Sequence, residues 1–442
     1  MDSDLTIETD WEHSEAGTPE ERASFAAVGI RSGDLWLTEA EDAFVNRIRQ
    51  KVYLSAYPLA EWLAWNWWRL RWEPRRHSHE WAMAHRMSTI GGGYVWPDIT
   101  VISDGERLVL IPAPTRPRPA EPLRYICQTP AVVRASIFED AVDALVLRVL
   151  GQLRAESVVT SNLTSIWTDL IQERRSPELA LRRKFEALLG YEVDEANDDL
   201  IERLVRDSIP LGERGVQELA AARTDNAGPA TSAEIQQSAK DSGFESRPRD
   251  VVRLRGTSVE PLPVGVAAWK RGVAAARAVR EQERLSEGEI SNARLCELAG
   301  VSSAAISQGQ KRGFLSFALD EGPTKGLVVM RSGYETGRRF DLARLLGDRI
   351  AAASDGALRP ATRTYTYRQK LQRSFAGEFL CPFESLVGML AGDYSDDMIE
   401  DVARHFNVSV LTVRTLLVNH GLIERESLTD DFDVRAYAPR AA

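Results

Sequence analysis

The sequence predicts an α+β, predominantly helical protein, and three observations carry that prediction. Apolar residues recur at three-and-four spacing through Phe138, Val142, Leu145, Val146, Val149 and Leu150, and again through Leu179, Leu181, Phe185, Leu188 and Leu189, the period of a buried helix face. Ile99-Thr100-Val101-Ile102 and Arg107-Leu108-Val109-Leu110-Ile111 flank an Asp104-Gly105 turn and read as a β-hairpin of type I′. Arg338 to Ile350 reads as a single helix followed by further helical segments. With 442 residues, 43% of them apolar, the chain can bury cores for two or three domains.

The elements follow in chain order. Residues 1–34 are acidic, with Asp2, Asp4, Glu8, Asp10, Glu12, Glu15, Glu20 and Glu21 preceding the first basic residue, and read as a disordered tail or loosely docked arm. Residues 35–130 form a tryptophan-rich α+β domain. Pro58 suits a helix start, and Trp65, Trp68 and Trp72 stand at i, i+3 and i+7, which predicts one shared helical face, with Leu63, Trp67 and Leu70 elsewhere around the helix. The proline-rich run from Pro112 to Pro122 reads as a connector. Residues 131–222 read as helices, and residues 223–263, dense in Gly, Pro, Ser, Asp and Asn, as a flexible linker.

Composition excludes several classes. No run approaches the roughly 18 apolar residues of a membrane span, and the acidic N-terminus is the opposite of a signal peptide. The reading is therefore cytoplasmic, with no membrane partner. Cys127, Cys296 and Cys381 lie far apart with no Cys-x-x-Cys pair, which argues against a disulfide framework or a zinc knuckle. A formal charge of -10 disfavours nonspecific nucleic-acid binding while leaving room for a local basic patch.

The 338–350 helix has the outline of a zinc-protease helix without its zinc chemistry. Such a helix carries His-Glu-x-x-His, two imidazoles one turn apart for the metal and a Glu as general base. The corresponding positions are Arg344, Leu345 and Asp348. Ahead of it lie an amphipathic segment from Gly272 to Arg280, the block from Ile290 to Ser302, and the apolar stretch Gly326-Leu327-Val328-Val329-Met330. Behind it come Gln372-Arg373-Ser374-Phe375-Ala376-Gly377-Glu378-Phe379-Leu380-Cys381-Pro382 and a helical tail. In this order the blocks resemble the ImmA/IrrE family of bacterial metallo-endopeptidase-like proteins, over roughly residues 265 to 425. The family's last block reads Phe-Ala-Ala-Glu-Leu-Leu-x-Pro just after a third metal ligand, usually a Glu a few residues upstream. Gln369 and Leu371 occupy that neighbourhood here.

The resemblance implies a zincin-like domain with a small sheet at residues 264–427, followed by a tail at 428–442. It also implies a degenerate site, because ligands, base and third carboxylate are replaced together. No cofactor is expected, and zinc only with unorthodox ligands such as Asp341, Asp348 and Glu378, beside the fixed cation Arg344. A structural alternative is that the Arg344 guanidinium fills the volume of the missing ion and pairs with Asp348 at i+4, and with Glu378. The preferred function is thus a pseudo-metallopeptidase, not an enzyme, acting on a protein partner such as a regulator or a toxin or defence component. An active endopeptidase and a helix-turn-helix DNA-binding regulator are the alternatives.

Other candidates are weaker. His77, His79 and His85 invite a metal, but six residues separate His79 from His85 and Met83 stands where a zinc helix needs His, so a basic, partly exposed loop is the better reading, with Arg75, Arg76 and His77 open to an anionic partner. The tryptophans are read first as core, and second as a stacking or protein-binding surface helped by Arg69, Arg71, Arg75 and Arg76. Gly91-Gly92-Gly93 precedes an extended segment and not a helix, so it reads as a turn beside aromatics and not as a nucleotide loop. Residues 295–307 and 402–417 have helix-turn-helix outlines. The first lacks base-reading side chains until Lys311-Arg312, and the second offers Arg404 and Arg414 as possible DNA contacts.

Overall fold

The computed structural model describes residues 4–116, 123–223, 228–255, 265–352 and 356–424. The chain forms two compact units, residues 1–202 and 203–442. Both are α+β with small antiparallel sheets.

The N-terminal unit runs β1 (Thr6–Trp11), α1 (Pro19–Ala23), β2 (Phe25–Ser32), β3 (Leu35–Trp36), β4 (Ala40–Asp42), β5 (Arg47–Arg49), β6 (Val52–Ser55), α2 (Ala56–Trp65), α3 (Trp67–Trp72), α4 (His79–His85), β7 (Asp98–Ser103), β8 (Arg107–Ala113), β9 (Leu123–Tyr125), β10 (Ala131–Arg134), α5 (Ala135–Ala155), α6 (Asn162–Arg175) and α7 (Pro177–Leu189). The first 34 residues correct the sequence reading, for residues 4–34 are ordered structure. β1 pairs with β2 from Thr6↔Arg31 to Trp11↔Ala26, and α1 starts in a Thr18–Glu21 capping box. The acidity is the solvent half of a strand alternation. Leu5 and Ile7 point into the core, while Glu8 meets Arg31 at 2.7 Å and Asp10 meets Lys51 at 2.8 Å.

The predicted hairpin forms, with Ser103 opposite Leu108. Its turn differs from type I′: the positive φ falls at Gly105 alone, 99°, the first central position, where a type II′ turn demands glycine. The tryptophan helix is also corrected. It starts at Ala56, capped by Ser55, and breaks at Asn66, so Trp65 is 52% exposed while Leu63, Trp67, Trp68 and Leu70 are buried. α5 buries Phe138, Val142, Leu145, Val146 and Val149 as its spacing requires. In α7, Leu179 is exposed and Arg183 and Glu186 are buried in its place, because they belong to an ion network. α8 (Asp198–Leu211) follows.

The C-terminal unit continues with α9 (Glu213–Ala221), α10 (Ser232–Ser242), β11 (Phe244–Ser246), α11 (Ala268–Gln282), α12 (Asn292–Leu298), α13 (Ala304–Ser307), β12 (Ser316–Asp320), β13 (Gly326–Val329), α14 (Glu335–Ala351), β14 (Leu358–Ala361), α15 (Tyr367–Leu380), α16 (Phe383–Leu390), α17 (Asp396–Phe406) and α18 (Val410–Asn419). Its sheet has the order β11-β13-β12-β14. The linker reading of 223–263 is corrected here. α10 begins in a Thr231–Glu234 capping box and buries Ile235 and Ala239, and β11 pairs with β13. The polar residues that suggested a linker serve as caps and turns. Residues 224–227 and 256–264, and the tail 428–442, lie outside the described residues. The core gathers Val279, Leu295, Leu342, Leu346, Phe375, Phe379, Val402 and Phe406 around α14 and α15.

Candidate functional site

α14 is a 17-residue helix buried on nearly every side. Burying charge is costly without partners, so each polar residue on it identifies what surrounds it. Gly347 lets α15 approach: a Cβ there would stand 2.5 Å from the Phe375 ring.

Arg344 is 6% exposed. Its Nη2 donates to the Thr362 carbonyl at 2.6 Å and to Gln369 Oε1 at 2.6 Å, and its Nη1 stands 3.9 Å from Asp341. Desolvation pulls its pKa below the usual guanidinium value, against the opposing field of Asp341. Gln369, on the first turn of α15, also accepts from Thr362 N at 2.8 Å and donates to Pro360 O at 3.0 Å. Asp341 accepts from Ser316 at 2.6 Å.

Asp348 is fully buried and turns to other partners. Arg368 grips it bidentately at 2.6 and 2.6 Å, Gln372 donates at 3.0 Å and Arg359 at 3.3 Å. Burial pushes its pKa up, and the Arg368 hydrogen bonds and charge outweigh this, holding it below the usual carboxylate value. The expected Arg344–Asp348 pair therefore does not form. A nearer cation takes the aspartate, and Arg344 bonds an amide and a carbonyl through Nη2 while its Nε is buried without a hydrogen-bond partner.

Leu345 packs in apolar surroundings with Leu342, Leu346, Ala318 and Val328, so position 345 offers no group that could act as a base. Glu378 is remote from this cluster. It lies nine residues beyond Gln369 on α15, roughly 13 Å along the axis, where it pairs with Arg277 of α11 at 2.7 Å and accepts from Phe383 N.

Sequence reasoning missed Arg368, Gln372, Arg359, Thr362, Arg373 and Glu218. Arg368 and Gln372 stand at i and i+4 on α15, a signal open to a search for partners of Asp348 but not to one for metal ligands. Glu218 comes from α9 and accepts from Thr366 at 2.9 Å. Burial drives its pKa up, opposed by Arg368. Arg373, desolvated and beside Arg344, is pulled down to about 9.

The cluster does not fit a zinc ion. It offers no imidazole or thiolate, and the Asp348 and Gln369 oxygens that could converge are already bound by guanidinium and amide donors. Among the described residues no group of three or more His, Cys, Asp or Glu is placed to hold a metal. What the cluster can do is tie α14, β14, α15 and α9 together.

Both helix-turn-helix outlines form helix pairs. Asn407 takes the left-handed conformation at the second turn and Ser409 caps α18. Arg404 pairs with Asp401 at 2.5 Å and Arg414 with Asp396 at 2.7 Å, beside exposed Asp397 and Glu400. Those acids oppose phosphate. In the N-terminal unit His79 opens α4, while His85 is fully buried, its Nδ1 2.9 Å from Trp81 O and its ring stacked on Trp81. Arg76, read as open to an anion, points inward to Leu188 O at 3.1 Å, because a buried network of Arg69–Glu73 and Arg183–Glu173 contacts fills this region. Trp67 and Trp68 pack edge to face in the core, and Trp68 donates to Glu173.

Among the described residues no helix is long and apolar enough to cross a membrane. No family model matches the chain, and neither does any curated protein or solved structure.

Proposed function

We propose that the C-terminal unit is an ImmA/IrrE-like pseudo-metallopeptidase, zincin-like in fold and non-catalytic, acting through contacts with a protein partner in a cytoplasmic bacterial regulatory, stress-response, toxin-antitoxin or phage-defence setting. One observation carries the reading. Arg344 stands at the first-histidine position of the family's helix, Gln369 stands in the neighbourhood of the third ligand, and the two side chains bind each other at 2.6 Å. Positions 25 residues apart meet where such a family would bring its ligands together, yet the groups there form a guanidinium–amide contact. The neighbouring Asp348–Arg368 pair completes a network held by charge-assisted hydrogen bonds.

The reading is tested by the metal content of the full chain purified in zinc-containing buffer. Less than about a tenth of an equivalent of zinc is expected, since the donor set lacks soft or imidazole ligands. A stoichiometric metal removed by Asp341→Asn or Asp348→Asn would overturn it in favour of an active endopeptidase.

A further inference from the structure

Two loops of the C-terminal unit, residues 308–315 and 331–334, lie against each other, Gly309 beside the Gly333 carbonyl, at the edge of the Arg344 cluster. Phe314 is 54% exposed and Tyr334 is 81% exposed. Arg312 and Arg331 are exposed, two and three residues from these rings in the chain, the Arg312 guanidinium lies against Gly333, and among the described residues neither guanidinium has an ion-pair or side-chain hydrogen-bond partner. Large aromatics left in water next to unpaired guanidiniums are the two halves of a single-strand binding surface: a cation for the phosphate and a ring face for the base.

The surface is fixed from beneath. Gly313 N donates to Met330 O at 2.9 Å, and Gly309 lies so close to the Gly333 carbonyl that a side chain would collide. Arg338 is fully buried. It donates from Nε to Ala305 O at 2.7 Å and from Nη1 to Lys311 O at 3.2 Å and Ser332 O at 3.1 Å. One buried guanidinium thus clamps both loops, so little ordering remains to be done on binding. The adjacent carboxylate of Glu335 is engaged by Asn292 at 2.8 Å and Asn407 at 2.9 Å. The chain's formal charge of -10 does not oppose local binding, because exposed charges more than about 10 Å apart are largely screened at 0.1 M salt.

We propose that this surface binds single-stranded nucleic acid, with phosphates on Arg312 and Arg331 and bases against Phe314 and Tyr334. A duplex keeps its base faces stacked and leaves the rings without a partner. An acidic peptide would engage the guanidiniums alone. The proposal is independent of the pseudo-metallopeptidase reading.

The test is fluorescence anisotropy of the full chain with labelled 20-nucleotide single strands of DNA and RNA, the matching duplex and poly-glutamate, at 50 and 200 mM salt. Single strands are expected to bind more tightly than duplex. Arg312→Glu with Arg331→Glu is expected to weaken binding at least about tenfold and to flatten the salt dependence by about 1.4 in slope, 0.7 for each lost phosphate contact. Tyr334→Ala is expected to weaken it roughly tenfold through lost stacking. Arg312→Gln with Arg331→Gln, confirmed folded by circular dichroism, repeats the measurement without new charge. Absence of single-strand binding at 50 mM salt overturns the proposal. So does binding that survives these variants, or binding lost instead in Arg404→Ala with Arg414→Ala. Preference for poly-glutamate overturns it too and marks a protein-binding surface.

Discussion

Arg344 and Asp348 lie one turn apart on α14 and turn to different partners, and their energetics follow from that. Removing Asp348 takes away the carboxylate that Arg368 and Arg359 share and leaves Arg368 without its bidentate partner, while Arg359 keeps Asp320 at 3.4 Å. Asp348→Ala is therefore expected to destabilise the C-terminal unit by about 3–5 kcal/mol. Arg344→Ala removes a buried charge together with its bonds to an amide and a carbonyl, and the smaller loss of about 1–3 kcal/mol is expected. A double-mutant cycle on urea unfolding separates the pairs: Asp348 with Arg368 is expected to couple by more than about 1 kcal/mol, and Asp348 with Arg344 by clearly less. Equal couplings would restore the intrahelical ion pair that spacing alone suggests. The sequence placed these residues correctly on one helix, and it could not choose between partners because Arg368 is 20 positions away on another element.

Elements show where local rules yield to packing. Gly347→Ala is favoured by helix propensity, roughly 1 kcal/mol, but the new Cβ would meet Phe375 at 2.5 Å. Overpacking of this kind costs about 1–3 kcal/mol, so a net loss of thermal stability is expected, relieved by Phe375→Leu. In the N-terminal unit, the His85 imidazole on α4 is held neutral by burial, its pKa lowered from 6.5 to about 3. Unfolded chains take up that proton first as pH falls, so stability declines from about pH 6.5 toward 3. His85→Phe is expected to flatten the pH dependence of the tryptophan-detected unfolding midpoint in that window. An unchanged slope would count against the buried neutral ring. Asp348, with its pKa held below the usual carboxylate value, keeps its contribution above about pH 4 and loses it only as pH falls through its lower folded value.

For the whole molecule, the acidic first segment makes the sharpest contrast between pattern and structure. Of the 11 tryptophans, all but Trp269 lie in residues 1–202, so near-ultraviolet circular dichroism reports mainly on that unit. Deleting residues 1–34 removes β1 and β2, and with them the central strand of the first sheet. Loss of the tryptophan signal is expected; a disordered arm would leave it intact. Composition misread the segment because strands with one solvated face are half polar, and the acids on that face are satisfied by Arg31 and Lys51, residues that only pairing brings near.

By itself the sequence determined periodicity and punctuation: the α5 and α14 helices, the 98–113 hairpin, the two helix pairs with the Ser409 cap of the second but not the hydroxyl cap expected for α13, and the absence of imidazole from positions 344 and 348 and of a carboxylate base from position 345. Those features are local, written in spacing and in turn chemistry. The tertiary structure decided what charge does. It set Arg344 on Gln369, gave Asp348 to Arg368, drew Glu218 in from α9, and left Arg312 and Arg331 exposed. A charged side chain has many candidate partners along a chain, and burial together with distance, which sequence does not carry, selects among them.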